Sequence, residues 1–186
     1  MKGVVFTEFL ELVEEKFGYE TVDKIVTEAC PETNGAYTSV GTYDHGDLLN
    51  LVVALSKEVN VPIADLVNVF GKHLFCTFAK GYFKKLGGFS SSFDLLEKIQ
   101  GFIHVEVRKI YPDAELPHFD YERPGEDELV LIYQSKRPFA DLCEGLIQQC
   151  VTHFNENIDI SRENLSDDGT HARFTLLRHA EVAVSS

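Results

Sequence analysis

Leu129-Val130-Leu131-Ile132-Tyr133-Gln134-Ser135-Lys136-Arg137 is the stretch on which the fold turns. Its first half is apolar and β-prone, and it follows the acidic, turn-forming Pro124-Gly125-Glu126-Asp127, so a strand is predicted over 128–133. In a strand alternate side chains share a face, which groups Leu129, Leu131, Tyr133, Ser135 and Arg137. That face begins apolar and ends in hydroxyls and a guanidinium, a donor set suited to carboxylates or phosphates. The same spacing also describes a strand whose last residues simply run out into solvent.

Outward from this strand, the periodicity changes. Residues 139–154 have helical spacing, and 158–160 and 174–177 read as two more strands separated by Asp167-Asp168-Gly169. Upstream the chain reads as helices. Val5, Phe6, Phe9, Leu10, Leu12, Val13 and Phe17 mark one that ends at Gly18, and a second over 21–29 is closed by Pro31. A loop is expected over 33–46, then a helix capped by Asp47 and reaching Val59. Another starts near Pro62 and extends to about Lys85. Gly87-Gly88 and the serines at 90–92 make a break and a new cap. A single long helix follows, its face marked by Phe93, Leu96, Ile99, Gln100, Ile103, Val107 and Ile110, and Pro112 stops it. The tail after Arg178 is expected to fray. Helices followed by strand–strand–helix–strand–strand predict an α+β protein with an antiparallel sheet.

The chain has 186 residues and a formal net charge of −13. One domain is the expectation at that length, with a core large enough to enclose a cofactor. The acidity argues against nucleic-acid binding and against docking on an anionic membrane. The apolar run at 48–56 is far short of the ~20 residues that span a bilayer, and Glu8, Glu11, Glu14 and Glu15 interrupt any signal-peptide core. Cys30, Cys76, Cys143 and Cys150 form no C-x-x-C pair and read as reduced thiols of a cytoplasmic protein, packing as small hydrophobes.

Enzyme signatures are missing. The sequence has no G-x-S-x-G, Walker loop, H-E-x-x-H or calcium loop, and Gly87-Gly88 lacks the spacing of a dinucleotide fingerprint. Glu126-Asp127-Glu128 reads as a solvated turn. His104 lies beside Ile103 and Val107 on the apolar margin of its helix, as a core histidine or as a ligand. His45 and His118 fall near loops, His73 on a helix, and His153, His171 and His179 in polar surroundings. The pattern is that of a binding protein and not an enzyme.

Taken together, Met1-Lys2-Gly3, the segment Gly101-Phe102-Ile103-His104-Val105-Glu106-Val107, Leu116-Pro117 downstream of it, and the Y-x-S-x-R signature at Tyr133, Ser135 and Arg137 resemble the H-NOX family. These are haem domains that bind nitric oxide or oxygen, related to the sensor region of soluble guanylate cyclase. The resemblance runs through essentially the whole chain. It implies a single domain over 1–186, with a helical distal part over about 1–62 and a part carrying the proximal helix and sheet over about 63–186. Haem b (iron protoporphyrin IX) would lie between them.

His104 would be the proximal iron ligand, Tyr133, Ser135 and Arg137 would hold the propionates, and Pro117 would press on the porphyrin. Val5, Phe9, Leu74, Phe75, Phe78, Leu142 and Leu146 are the candidate distal wall. Leu142 stands where oxygen-binding relatives carry a tyrosine, with Phe9 and Leu74 at the supporting Trp and Asn positions. The resemblance therefore implies an NO and CO sensor that excludes O₂. NO would release His104, and the freed helix would regulate a histidine kinase or a cyclic-di-GMP enzyme in trans, since the chain has no room for an output domain. Arg162, Leu165 and Arg173 occupy the positions of a zinc site found in some relatives, which makes that site improbable here. A non-haem regulatory domain gripping another carboxylate through Arg137 is the alternative.

Overall fold

The computed structural model describes residues 1–30, 34–81 and 88–179. Pro31, the expected extension of the fourth helix to about Lys85, Gly87 and the tail from residue 180 lie outside them. Four helices come first: α1 (Gly3–Phe17), α2 (Tyr19–Ala29), α3 (His45–Val59) and α4 (Ile63–Gly81). In α1 the buried side chains are Phe6, Phe9, Leu12 and Val13, spaced to share one face. Gly18 ends α1 at φ 86°, donating its N–H to Glu14 O at 2.9 Å. The cap of α3 is Asp44 rather than Asp47. Its Oδ1 accepts from the Gly46 N–H at 2.7 Å, so the helix begins at His45 and Asp47 sits in the first turn, where its charge complements the helix dipole. Phe6, Phe9, Leu51, Leu55 and Phe70 fill the core of this layer, Phe9 and Phe70 meeting edge-on at 5.2 Å.

The expected long helix over 93–110 is broken into three pieces. Ser91 caps α5 (Ser92–Glu97), its Oγ accepting from the Asp94 N–H at 3.1 Å. A π-helical turn, Ile99–Ile103, follows, and α6 (His104–Ile110) completes the segment. The Ile103 N–H reaches back five residues to Lys98 O at 3.0 Å. One extra residue in a turn rotates everything after it by about 100° relative to an unbroken helix. Ile110, expected on the apolar face, is 52% exposed and borders the same cavity as Ile103 and Val107.

The C-terminal part is a four-stranded antiparallel sheet in the order β1-β2-β4-β3, from β1 (His118–Gly125), β2 (Glu128–Gln134), β3 (Ile158–Asn164) and β4 (His171–Arg178). The fold class is α+β. Pro124 and Gly125 belong to β1 and not to the turn, which Glu126 and Asp127 make. β1 is an edge strand, where a proline costs no ladder bond, and its register with β2 is irregular between Glu122 and Gly125. Leu129, Leu131 and Tyr133 pair across β4 with Leu176, Phe174 and Ala172, and all six are buried. They form one core with Cys143, Ile147 and Cys150 of α7 (Ala140–His153). Among the described residues, no helix is long and apolar enough to cross a membrane.

Helices α4 and α7 join the two parts. Gly71 and Gly145 face each other where they touch: a Cβ on Gly145 would lie 2.1 Å from Asn68 O, and one on Gly71 2.2 Å from Leu142 O. Gly145→Ala must separate the helices. The expected cost is about 1–3 kcal/mol in urea unfolding of the apoprotein, against no loss if the contact were loose.

Candidate functional site

Between the helical layer and the α5–α6 segment lies a cavity of about 510 Å³, within the size range of cofactor sites. Val5 of α1, Leu74, Phe75 and Phe78 of α4, and Leu142 and Leu146 of α7 line it. So do Leu95, Leu96, Ile99, Ile103 and His104, with Pro117 just before β1 and Phe119 within it. Phe9 does not reach the wall. It is buried one layer behind, against Phe70.

His104 brings the one imidazole among the lining residues described. Only 8% of the residue is exposed. Burial first, then the positive charge of Arg108 and the neighbouring His118, push its pKa down to about 4, so the ring is neutral at pH 7 with a lone pair to give. Its Nδ1 lies 3.3 Å from Gln100 Oε1, and its ring stands 5.8 Å from that of Phe119.

Tyr133, Ser135 and Arg137 line the same cavity, although β2 ends at Gln134 and the strand alternation does not carry them there. A turn does: the Arg137 N–H donates to Ser135 Oγ at 3.0 Å, leaving the Ser135 hydroxyl proton free to point elsewhere. Burial pushes the Tyr133 phenol up to about 12, so it stays a donor, and it now donates to Arg137 O at 3.4 Å. The Arg137 guanidinium is held by Glu115, through the carbonyl at 3.1 Å and the carboxylate at 2.5 Å. A second, polar hollow of about 430 Å³ adjoins this end, sharing Met1, Lys2, Glu115 and Arg137 with the first. The chemistry is directional: an apolar slot, one neutral imidazole in its wall, and three hydrogen-bond donors at one end. A flat macrocycle with two carboxylates on one edge and a metal at its centre matches that donor set.

Several residues were not singled out by sequence. Leu95, Leu96, Ile147 and Phe119 are ordinary core positions that happen to border the slot. Glu115 meets Arg137 and no local pattern marks it, while Gln100, expected only as a helix-face position, meets His104. His73, whose orientation sequence leaves open, turns from the cavity: its Nε2 meets Glu8 Oε2 at 3.1 Å, and Thr77 donates to the same oxygen at 2.8 Å. Cys143 and Cys150 line the wall, and burial pushes both thiols well above their ordinary range. At the positions compared with a zinc site, Arg162 ties β3 to α7 through Asp141 at 2.6 Å and Glu144 at 2.9 Å, and Leu165 is exposed. Arg173 lies 3.9 Å from Glu163. Among the described residues no group of three or more His, Cys, Asp or Glu could hold a metal ion, the Glu126-Asp127-Glu128 turn included.

Comparison with known proteins agrees with this geometry. Residues 2–162 match the family described as Haem-NO-binding. The chain is 40% identical to an H-NOX protein from K. algicida solved as Fe(II) unliganded, at a TM-score of 0.92 over 100% of both chains. It is 47% identical to the IWP-051-bound H-NOX from Shewanella woodyi in the Fe(II)CO state, at 0.83 over 98% of this chain and 97% of that one. An H-NOX protein from S. oneidensis in the Fe(II)NO state is 26% identical, at 0.88 over 97% and 100%. The chain belongs to the haem-NO-binding, or H-NOX, family.

Proposed function

We propose that this protein is a cytoplasmic sensor that holds haem b through His104, binds NO and CO, and excludes O₂. The observation that carries the reading is the joint placement of a buried neutral imidazole and the Tyr133, Ser135 and Arg137 donors on one apolar cavity. His104 would hold the haem iron, and the bound group would supply the metal that takes a diatomic ligand.

The chain does the rest. His104 is the tether, and the neutral ring competes for iron without first losing a proton. Tyr133, Ser135 and Arg137 orient the two carboxylates, and we assign Pro117 the part of bearing on the ring. On the distal wall, Leu74 and Leu142 offer no hydrogen to a bound ligand, and His73 is engaged by Glu8. Bound O₂ acquires negative character and needs a donor, whereas NO and CO need one far less. Released, His104 lets α6, only seven residues long, shift as a unit against the sheet. A partner in trans, a histidine kinase or a cyclic-di-GMP enzyme, reads that shift; a ligand moves the equilibrium only by favouring one position over the other. The domain is a single one with a distal and a proximal part, and α4, which begins just past the expected division at about residue 62, packs into the distal core through Leu66, Val67, Phe70 and Leu74.

Absorption spectroscopy tests the reading. The reduced protein is expected to show a Soret band that moves with NO and with CO and stays unchanged in air. A colourless protein that rejects added haem would overturn it. Arg137→Ala removes a charged donor worth about 1.5–3 kcal/mol, and haem transfer to an apoglobin should quicken by roughly 10- to 100-fold. An unchanged transfer rate would remove Arg137 from the site.

A further inference from the structure

The His104 ring has a second nitrogen whose partner fixes what the first can do. Nδ1 faces Gln100 Oε1 at 3.3 Å, and the Phe119 backbone N–H faces the same atom at 3.2 Å. A backbone N–H can only donate, so the Gln100 atom it meets must be the amide oxygen and not the nitrogen. An oxygen can only accept, so Nδ1 must carry the ring proton. The remaining nitrogen, Nε2, then holds the lone pair and has no hydrogen-bond partner among the described residues. Gln100 lies within the π-helical turn Ile99–Ile103, four residues before His104 and so on the same side of the helical segment. The same amide oxygen ties that turn to β1, beside the Phe119–Tyr133 pair.

We propose that Gln100 is the positioning residue of the proximal imidazole: its side-chain oxygen accepts a hydrogen bond from the His104 Nδ1–H, fixes the tautomer, and aims Nε2 into the cavity. The proposal rests on the reading of His104 as the iron ligand. Such an outer hydrogen bond orients a metal-binding histidine and raises its basicity. It also couples His104 to the sheet that presents Tyr133, so the tether and the propionate end are held by one amide.

The test is the iron–histidine stretching band of the reduced, unliganded haem protein, read by resonance Raman. Gln100→Leu removes the acceptor, and the band is expected to fall in frequency, with haem lost to an apoglobin roughly 10-fold faster. Gln100→Glu keeps an acceptor for both donors and strengthens it, so the band should rise while the fold is kept. Opposite shifts would not follow from a merely structural role. Equal frequencies in all three proteins, or shifts of both variants in one direction, would overturn the assignment of Gln100. A wild-type protein that shows no iron–histidine band at all would instead overturn the reading of His104.

Discussion

His104→Gly is expected to abolish the iron–protein bond while leaving haem in the slot. The donors at Tyr133, Ser135 and Arg137 and the apolar walls are untouched by the change. Removal of a side chain that is 8% exposed leaves a hole the size of an imidazole in a packed wall. Free imidazole should enter that hole and restore the wild-type spectrum, because it supplies the same lone pair without the link to α6. The output should separate from the spectrum: with imidazole bound, the variant should regulate its partner as the NO-treated wild type does. If the imidazole-loaded variant regulated like the unliganded wild type, release of the tether would not be the signal.

Leu142→Tyr is expected to create a stable oxygen complex. Leu142 lies on the cavity wall contributed by α7, one turn from Leu146. A phenol there would place a donor against an apolar wall, where a hydrogen bond to a group bearing charge contributes about 1.5–3 kcal/mol. That corresponds to roughly a 10- to 100-fold gain in O₂ affinity, read as a Soret shift of the reduced protein in air. NO binding should change far less. Failure of the variant to respond to air, with haem and fold intact, would mean that something other than the missing donor excludes O₂.

Much of this site could be read before any coordinates. By itself His104 reads as a core histidine or as a ligand, and the spacing of Tyr133, Ser135 and Arg137 as a donor set or as a strand running into solvent; the family resemblance singles them out, and all four border the cavity. The reason they gather is different from the one alternation suggests. Tyr133 is placed by β2, but Ser135 and Arg137 are turned inward by the Ser135 hydroxyl accepting the Arg137 N–H. The π-helical turn at Ile99–Ile103 was not legible, because helical periodicity assumes a constant turn and an inserted residue carries no composition of its own. One continuous helix is therefore expected where three pieces stand, although Ile103, Val107 and Ile110 still border one cavity. Phe9 shows the limit at the wall. Its spacing puts it on the buried face of α1, but spacing cannot say whether Phe70 or a cavity lies beyond.

The most direct measurement of the central claim is an anaerobic NO titration of the reduced protein, followed through the iron–histidine stretch with ¹⁵N-labelled histidine. One band is expected before NO, sensitive to the label and absent in His104→Gly, and it should disappear as NO is added. A band that survives saturation with NO, or that persists in His104→Gly, would contradict it.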